Sequence, residues 1–186
     1  MYCTARLPPS HRTGDNRAFT FAEDPALKQI TPQTLAELAA QAQDSPRRRA
    51  NLNFHPQLDD AIQRLAVAME PDTYVRPHRH PHTWEMLHPL AGRFIVLEFD
   101  DDGTVLSRTI LGPGADETRL LETPAGRWHA VLSLDPGAVI FEVKRGPYRP
   151  IAEDDYALWS PAADRAVAGE LMAWYATAQV GQRWHG

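Results

Sequence analysis

Cysteine is almost missing from this chain. Cys3 is the single one among 186 residues, so no disulfide framework holds the fold, and the start around it, MYCTARLPPSHRTGD, lacks the apolar stretch of a secretory leader. Long hydrophobic runs are absent too. The best, RLAVAM and RFIVLEF, fall well short of the roughly 18 residues that cross a bilayer. A soluble protein with no membrane partner is expected, with the cytoplasm as its compartment. Nor is there an excess of positive charge: 19 Lys and Arg against 24 Asp and Glu give a formal charge of −5. That argues against nucleic acid as a partner held through its phosphate backbone. Familiar nucleophile signatures are missing as well. There is no GxSxG and no CxxC pair, and GPGAD lacks the strand, helix and lysine of a phosphate-binding loop. Chemistry by Ser or Cys is unsupported, which leaves a metal to carry any reaction.

What is present reads as an ordinary globular chain, 43% hydrophobic and 23% charged, with 16 prolines that point to many turns and strand ends. The length suffices for a core without staples, so a metal is expected to be functional rather than structural. Residues 1–30 show no sustained period and read as an irregular arm. At Thr31 the pattern changes: TPQTLAELAAQAQ offers Thr31 as N-cap, Pro32 at the first helical position, and Leu35, Leu38 and Ala39 at helical spacing. This helix is predicted to stop near Asp44-Ser45-Pro46. From Ile62 to Lys144 follow seven short apolar or alternating runs: IQRLAVAME, WEMLHPLAG, RFIVLEFD, VLSRTILG, TRLLETP, HAVLSLD and AVIFEVK. Turn residues separate them, as in a sandwich or barrel. The tail places Val167, Leu171, Trp174 and Tyr175 on a helical stripe, with Ser160 as cap and Pro161 at its first position. The expected organisation is an arm over 1–30, a helix-led β domain over 31–150 and a helical extension over 151–186.

The histidines concentrate in RPHRHPHTWEMLHPLAG, residues 76–92. On a strand, His78 and His80 would leave the same face, about 7 Å apart along the backbone. Pro81 interrupts any ladder there, and Glu85 begins the next apolar run. Much later, PAGRWHAV sets His129 just after a Pro-x-Gly turn. Three neutral imidazoles and one carboxylate suit a divalent ion with one or two open positions. Strand parity puts Glu85 with Leu87 and Pro89, and turns His88 the other way. His82, beyond Pro81, reads as a loop residue at the mouth, able to act as a base or a substitute ligand.

These residues carry a resemblance. His78-x-His80, Glu85 and Gly92 resemble the first cupin motif, and Pro124-x-Gly126-x2-His129 resembles the second. Asp72, Thr118 and Ser133 stand where the motifs more often have Gly, Gly and Asn. A closer likeness spans roughly residues 44–160. SPRRRANLNFHPQLDDAIQRLAVAMEPDTYVRPHRH, WEML, FDDDGTV, PAGRWHAV and FEVKRGPYRPIAEDDYALWSP are similar to the WbuC family of cupin-fold metalloproteins found in bacterial surface-polysaccharide gene clusters. The resemblance implies a mainly β double-stranded β-helix, or jelly-roll barrel, with a helix at each end. It also implies a metal on the positions of His78, His80, Glu85 and His129, and often a homodimer. His88-Pro89 departs from the plain aliphatic strand expected there.

Further candidates follow from the rest of the chain. Glu142 and Lys144 share one strand face, where they can pair beside the metal or position a substrate anion. Tyr148 and Arg149 lie in a Pro-flanked loop that can reach the mouth. SPRRRANLNFH contributes Arg47, Arg49 and Asn51 for an anionic, hydroxylated ligand, or else a solvated charge run near a helix end. The expected function is a metal-dependent enzyme, an isomerase or epimerase, acting on a small polar or anionic metabolite such as a sugar or sugar nucleotide. Glu142, Tyr148 and His82 are its candidate acid-base groups, with Arg47, Arg49, Asn51, Lys144 and Arg149 as substrate contacts. An Fe(II)-dependent dioxygenase and a non-catalytic, ligand-binding or regulatory cupin are the alternatives. The ligand set accepts Fe, Mn, Ni or Zn alike.

Overall fold

The computed structural model describes residues 19–20, 27–162 and 165–185. Its elements, in chain order, are β1 (Phe19–Thr20), α1 (Pro32–Asp44), β2 (Arg49–Asn53), β3 (Ile62–Met69), β4 (Glu85–Ala91), β5 (Phe94–Phe99), β6 (Val105–Leu111), β7 (Leu121–Thr123), β8 (Trp128–Ser133), β9 (Ala138–Arg145) and α2 (Arg165–Thr177). A single 3-10 turn, Glu153–Asp155, lies between β9 and α2. The strands form a six-stranded sheet in the order β1-β2-β3-β9-β4-β7 and a three-stranded sheet in the order β6-β5-β8. Every pairing is antiparallel except the short parallel one of β1 with β2. Two facing sheets with this strand order make the cupin jelly roll, and all seven apolar runs are strands within it.

Alternation explains how four layers arise from these sequences. Along β3 and β9, Leu65, Val67 and Ile140 turn inward and meet Phe94, Val96 and Val131 of the other sheet. Their neighbours Ala66, Ala68 and Val139 turn outward and pack under Leu38 and Ala42 of α1. On the smaller sheet, Ile95, Leu97 and Leu132 face outward onto Leu171 and Tyr175 of α2. Period-2 side chains thus give each sheet two apolar faces, one for the core and one for a helix. The Thr31 hydroxyl accepts the Thr34 N–H at 3.2 Å and closes a capping box, which fixes where α1 begins.

The structure departs from the sequence expectations at several points. His78 and His80 are not on a regular strand. His78 makes only isolated bridges, to His129 and to Tyr156, because Pro77 and Pro81 flank the pair and cannot donate to a ladder. Part of the arm, Phe19–Thr20, is a strand; the rest of residues 1–26, Cys3 included, lies outside the described residues. RANLN, inside the arginine-rich segment, is a strand as well. Helix α2 begins at Arg165 and not at Pro161, and the Ser160 hydroxyl donates back to the Ala157 carbonyl at 2.7 Å instead of capping a helix. The buried stripe of α2 runs through Ala168, Leu171 and Tyr175, leaving Val167 exposed. The register of β4 on β9 shifts between Pro89 and Ala91, a bulge at the proline that cannot bond the ladder.

Among the described residues no helix is long and apolar enough to cross a membrane. Helix α2 is integral to the core, since Leu171 is completely buried. Leu171→Ala should therefore cost about 2–5 kcal/mol by urea unfolding, the range for a large-to-small change in a packed core; a cost near zero would mean that α2 is only loosely attached.

Candidate metal centre

The centre is assembled by a hydrogen-bonded clasp between the two motif segments. His78 N–H donates to the His129 carbonyl at 3.0 Å and His129 N–H returns to the His78 carbonyl at 2.9 Å, so the two residues sit directly opposite each other. Gly126 N–H of the Pro-x-Gly turn donates to the His80 carbonyl at 3.0 Å. Gly126 has φ +79, the left-handed turn conformation that glycine adopts without cost. On the other side the segment 152–160 lies along the histidine loop. Arg79 N–H donates to the Asp155 carbonyl and Ala157 N–H to the Pro77 carbonyl, while Arg76 pairs with Glu153 and Arg79 with Asp155.

Three imidazoles converge inside this clasp. His78, His80 and His129 are buried, and one ring nitrogen of each lies within 4.8 Å of the others. Nδ1 of His78 is 2.9 Å from the Arg76 carbonyl and Nδ1 of His129 is 3.0 Å from the Arg127 carbonyl. A carbonyl accepts only, so each Nδ1 carries a proton; Nε2 of His78 keeps its lone pair, and Nε2 of His129, which donates to Glu85 here, is the atom that would turn to a ligand. His80 Nε2 is buried with no hydrogen bond, although Glu85 Oε1 lies 3.3 Å away. An orphaned imidazole nitrogen beside two more imidazoles whose Nε2 atoms face it is the donor set a divalent ion takes. Glu85, on the inner face at the start of β4, borders this group of three without belonging to it: Oε2 is 3.1 Å from His129 Nε2 and Oε1 is 3.2 Å from Lys144 Nζ.

Charges set the ionisation here. Burial disfavours the Glu85 carboxylate, yet Lys144 together with His129 and His80 holds its pKa well below the usual value. Burial pushes His78 well down, and the neighbouring His129 adds to this, so His78 is neutral. His129 is raised instead: burial works against it, but its bond to Glu85 and the carboxylate charge prevail. Lys144 is raised despite its burial, because Glu142 lies 2.5 Å away and Glu85 adds to it. This Glu85-Lys144-Glu142 chain follows from register. Glu85 pairs with Lys144 across β4 and β9, and Glu142 is two residues along the same inward face.

The remaining candidates divide by place. His82 is exposed, 6.5 Å ring to ring from His80, with its pKa lowered by partial burial and by the charge of Arg149. Tyr148 and Arg149 are exposed in the loop after β9, and the Tyr148 N–H donates to the Leu58 carbonyl. His88 is exposed on the opposite face of β4, with Nδ1 2.6 Å from the Arg119 carbonyl. Arg47 is exposed; Arg49 and Asn51 lie on the inward face of β2. Burial lowers the pKa of Arg49, partly offset by the attraction of Glu142. Two residues were missed in the sequence. Glu98 is the inward cross-strand neighbour of His129, its carboxylate accepting from Ser107 at 2.9 Å; the polar interruption in FIVLEF was the available signal. Tyr156 bridges His78, its ring 6.4 Å away, and no local pattern marked it.

A family model described as a domain of unknown function (DUF6016) matches residues 30–111. No curated protein matches the chain. Among solved structures it is similar to KdgF from Halomonas sp., at 15% identity and TM-score 0.43, over 72% of this chain and 96% of that one. It is also similar to oxalate oxidase in complex with the substrate analogue glycolate, at 13% and 0.47, over 74% and 77%. A third is the Cnp3 cupin domain of Schizosaccharomyces pombe, at 8% and 0.42, over 53% and 64%. The jelly-roll fold itself follows from the two sheets and their strand order described above.

The depressed Glu85 carboxyl has a consequence for chelator-treated protein. Its folded pKa lies below the ordinary 4.5, so its stabilisation is complete above that value and disappears as pH falls through the folded pKa. Glu85→Gln should lower stability at pH 7 and flatten the loss of stability between about pH 5 and pH 3, measured by urea unfolding; parallel pH curves for parent and variant would contradict the charge network.

Proposed function

We propose that this chain is a metal-dependent cupin enzyme acting on a small anionic metabolite such as a sugar or sugar nucleotide, in the surface-polysaccharide context of the WbuC family. A cytoplasmic homodimer is the working form in this reading. The observation that carries it is the convergence of three buried imidazole nitrogens, two with their tautomer set by backbone carbonyls. His78, His80 and His129 would hold the ion, with Glu85, which now pairs with Lys144, as the candidate fourth ligand. A bound divalent ion supplies Lewis-acid polarisation of a substrate oxygen or, if redox-active, a site for dioxygen. Fe, Mn, Ni and Zn all suit this donor set.

The protein's own groups supply the rest. In this reading Glu142, buried and tied to Lys144, would take a proton from the bound metabolite, and Lys144 would return one or bind an anionic oxygen. His82 and Tyr148 would serve as exchange groups with solvent, and partial burial together with the Arg149 charge lowers the His82 pKa. The tight Glu142-Lys144 pair also favours a second reading, a non-catalytic ligand-binding cupin, because one Glu142 oxygen is already engaged by the ammonium.

Elemental analysis of protein purified without added metal should find close to one equivalent of a divalent ion per chain. His78→Ala and His129→Ala should each lose it while remaining folded by circular dichroism. Stoichiometric metal retained by both variants would sink the ligand assignment. Iron would select oxygenation; zinc or nickel would favour isomerisation or binding.

A further inference from the structure

Strand β2 carries a row of polar side chains on the wrong side for a simple sandwich. Its apolar residues, Ala50 and Leu52, face outward against α1, and Arg49, Asn51 and Asn53 face inward. Their cross-strand neighbours on β3 are Met69, Val67 and Leu65, which offer no polar partner. Asn51 Oδ1 is fully buried and has no hydrogen bond. Among the described residues neither the Arg49 guanidinium nor the Asn53 amide has a hydrogen bond or ion pair. The neighbouring arginines differ. Arg48 adopts φ 55, binds Asp72 at 3.1 Å and caps the Gln43 carbonyl, and Arg47 is exposed. Only the third arginine of the run enters the barrel, and it enters without a counter-ion in contact.

A desolvated, unpaired polar group opposes folding, and the buried Asn51 oxygen, with Arg49 and Asn53 beside it on the same face, is retained when a ligand completes it. What each lacks identifies that ligand. A guanidinium fork takes a carboxylate or phosphate. The Asn51 oxygen is an acceptor and needs an O–H or N–H, which a bare anion does not bring. The formal charges agree: with a divalent ion in place, Lys144 and Arg49 balance Glu85 and Glu142, and Glu98 offsets only part of the metal's charge. Successive rungs are about 7 Å apart, the reach across one hexose-sized unit. We propose that Arg49, Asn51 and Asn53 form the binding strip for an anionic polyol, with its carboxylate or phosphate on Arg49 and its hydroxyls on the two amides. It rests on the metal reading above only in that the far end of the ligand is directed to the imidazoles.

The test is thermal unfolding of the full chain, metal-loaded and chelator-treated, with D-gluconate, D-glucose 6-phosphate, D-glucose, inorganic phosphate or acetate. At least one of the two anionic polyols should raise the midpoint above the effect of glucose, phosphate or acetate, and which one does so separates carboxylate from phosphate. Arg49→Met should keep its metal and its unliganded midpoint but bind that polyol roughly tenfold or more weakly, the scale of a lost charged hydrogen bond. Asn51→Leu should also weaken the polyol and leave acetate or phosphate unaffected, whereas Arg47→Met should behave as the parent. Equal responses of parent, Arg49→Met and Asn51→Leu, or no response of the parent to either polyol, would overturn the strip. If Arg49→Met does not fold, Asn51→Leu alone decides. A parent that carries and takes up no metal but still responds to a polyol would sink the metal reading and leave the strip standing.

Discussion

The pair of backbone hydrogen bonds exchanged by His78 and His129 is the constraint on which the centre depends. Each residue donates to and accepts from the other, so two imidazoles from segments far apart in sequence are fixed opposite each other before any side chain is considered. The Gly126 bond to the His80 carbonyl extends the same clasp. Their Nδ1 atoms are then occupied by carbonyls two residues back, which leaves Nε2 of each directed to a common point. Ligand geometry here is a property of main chain, and main chain is the least variable thing a sheet can offer.

Around this clasp the barrel is divided by rows. Going along β9, Ala138 and Ile140 belong to the apolar core, and Glu142 and Lys144 to the polar end. The same change occurs on β8, where Val131 is core and His129 is site. One end of the sandwich therefore supplies stability and the other tolerates buried charge, held by mutual pairing rather than by water. The segment 152–160 reinforces the polar end with Arg76-Glu153 and Arg79-Asp155, and Arg79 also stacks 4.5 Å over the Trp128 ring.

The seven strands β3 to β9, the first helix and the residues of the imidazole cluster were legible in the sequence because each rests on short-range pattern: period, cap and turn chemistry. The conformation of His78 and His80 was not, since Pro77 and Pro81 break the ladder and the convergence comes from His129, 49 residues or more away. Arg49 was visible only as one of three arginines. RANLN does alternate, but with its apolar residues facing a helix and its polar ones facing the core, the reverse of the usual meaning. Glu98 and Tyr156 reach the site through cross-strand register and a returning segment, neither of which leaves a local mark.

The short parallel pairing of Phe19–Thr20 with Leu52–Asn53 bears on handling of the protein. Without it, β2 would be the outermost strand of the larger sheet, with its amide and carbonyl groups open to any passing chain. A stretch that composition alone would mark for trimming thus covers the end of β2, and shortening the chain past Thr20 would uncover Leu52 and Asn53 at the sheet margin.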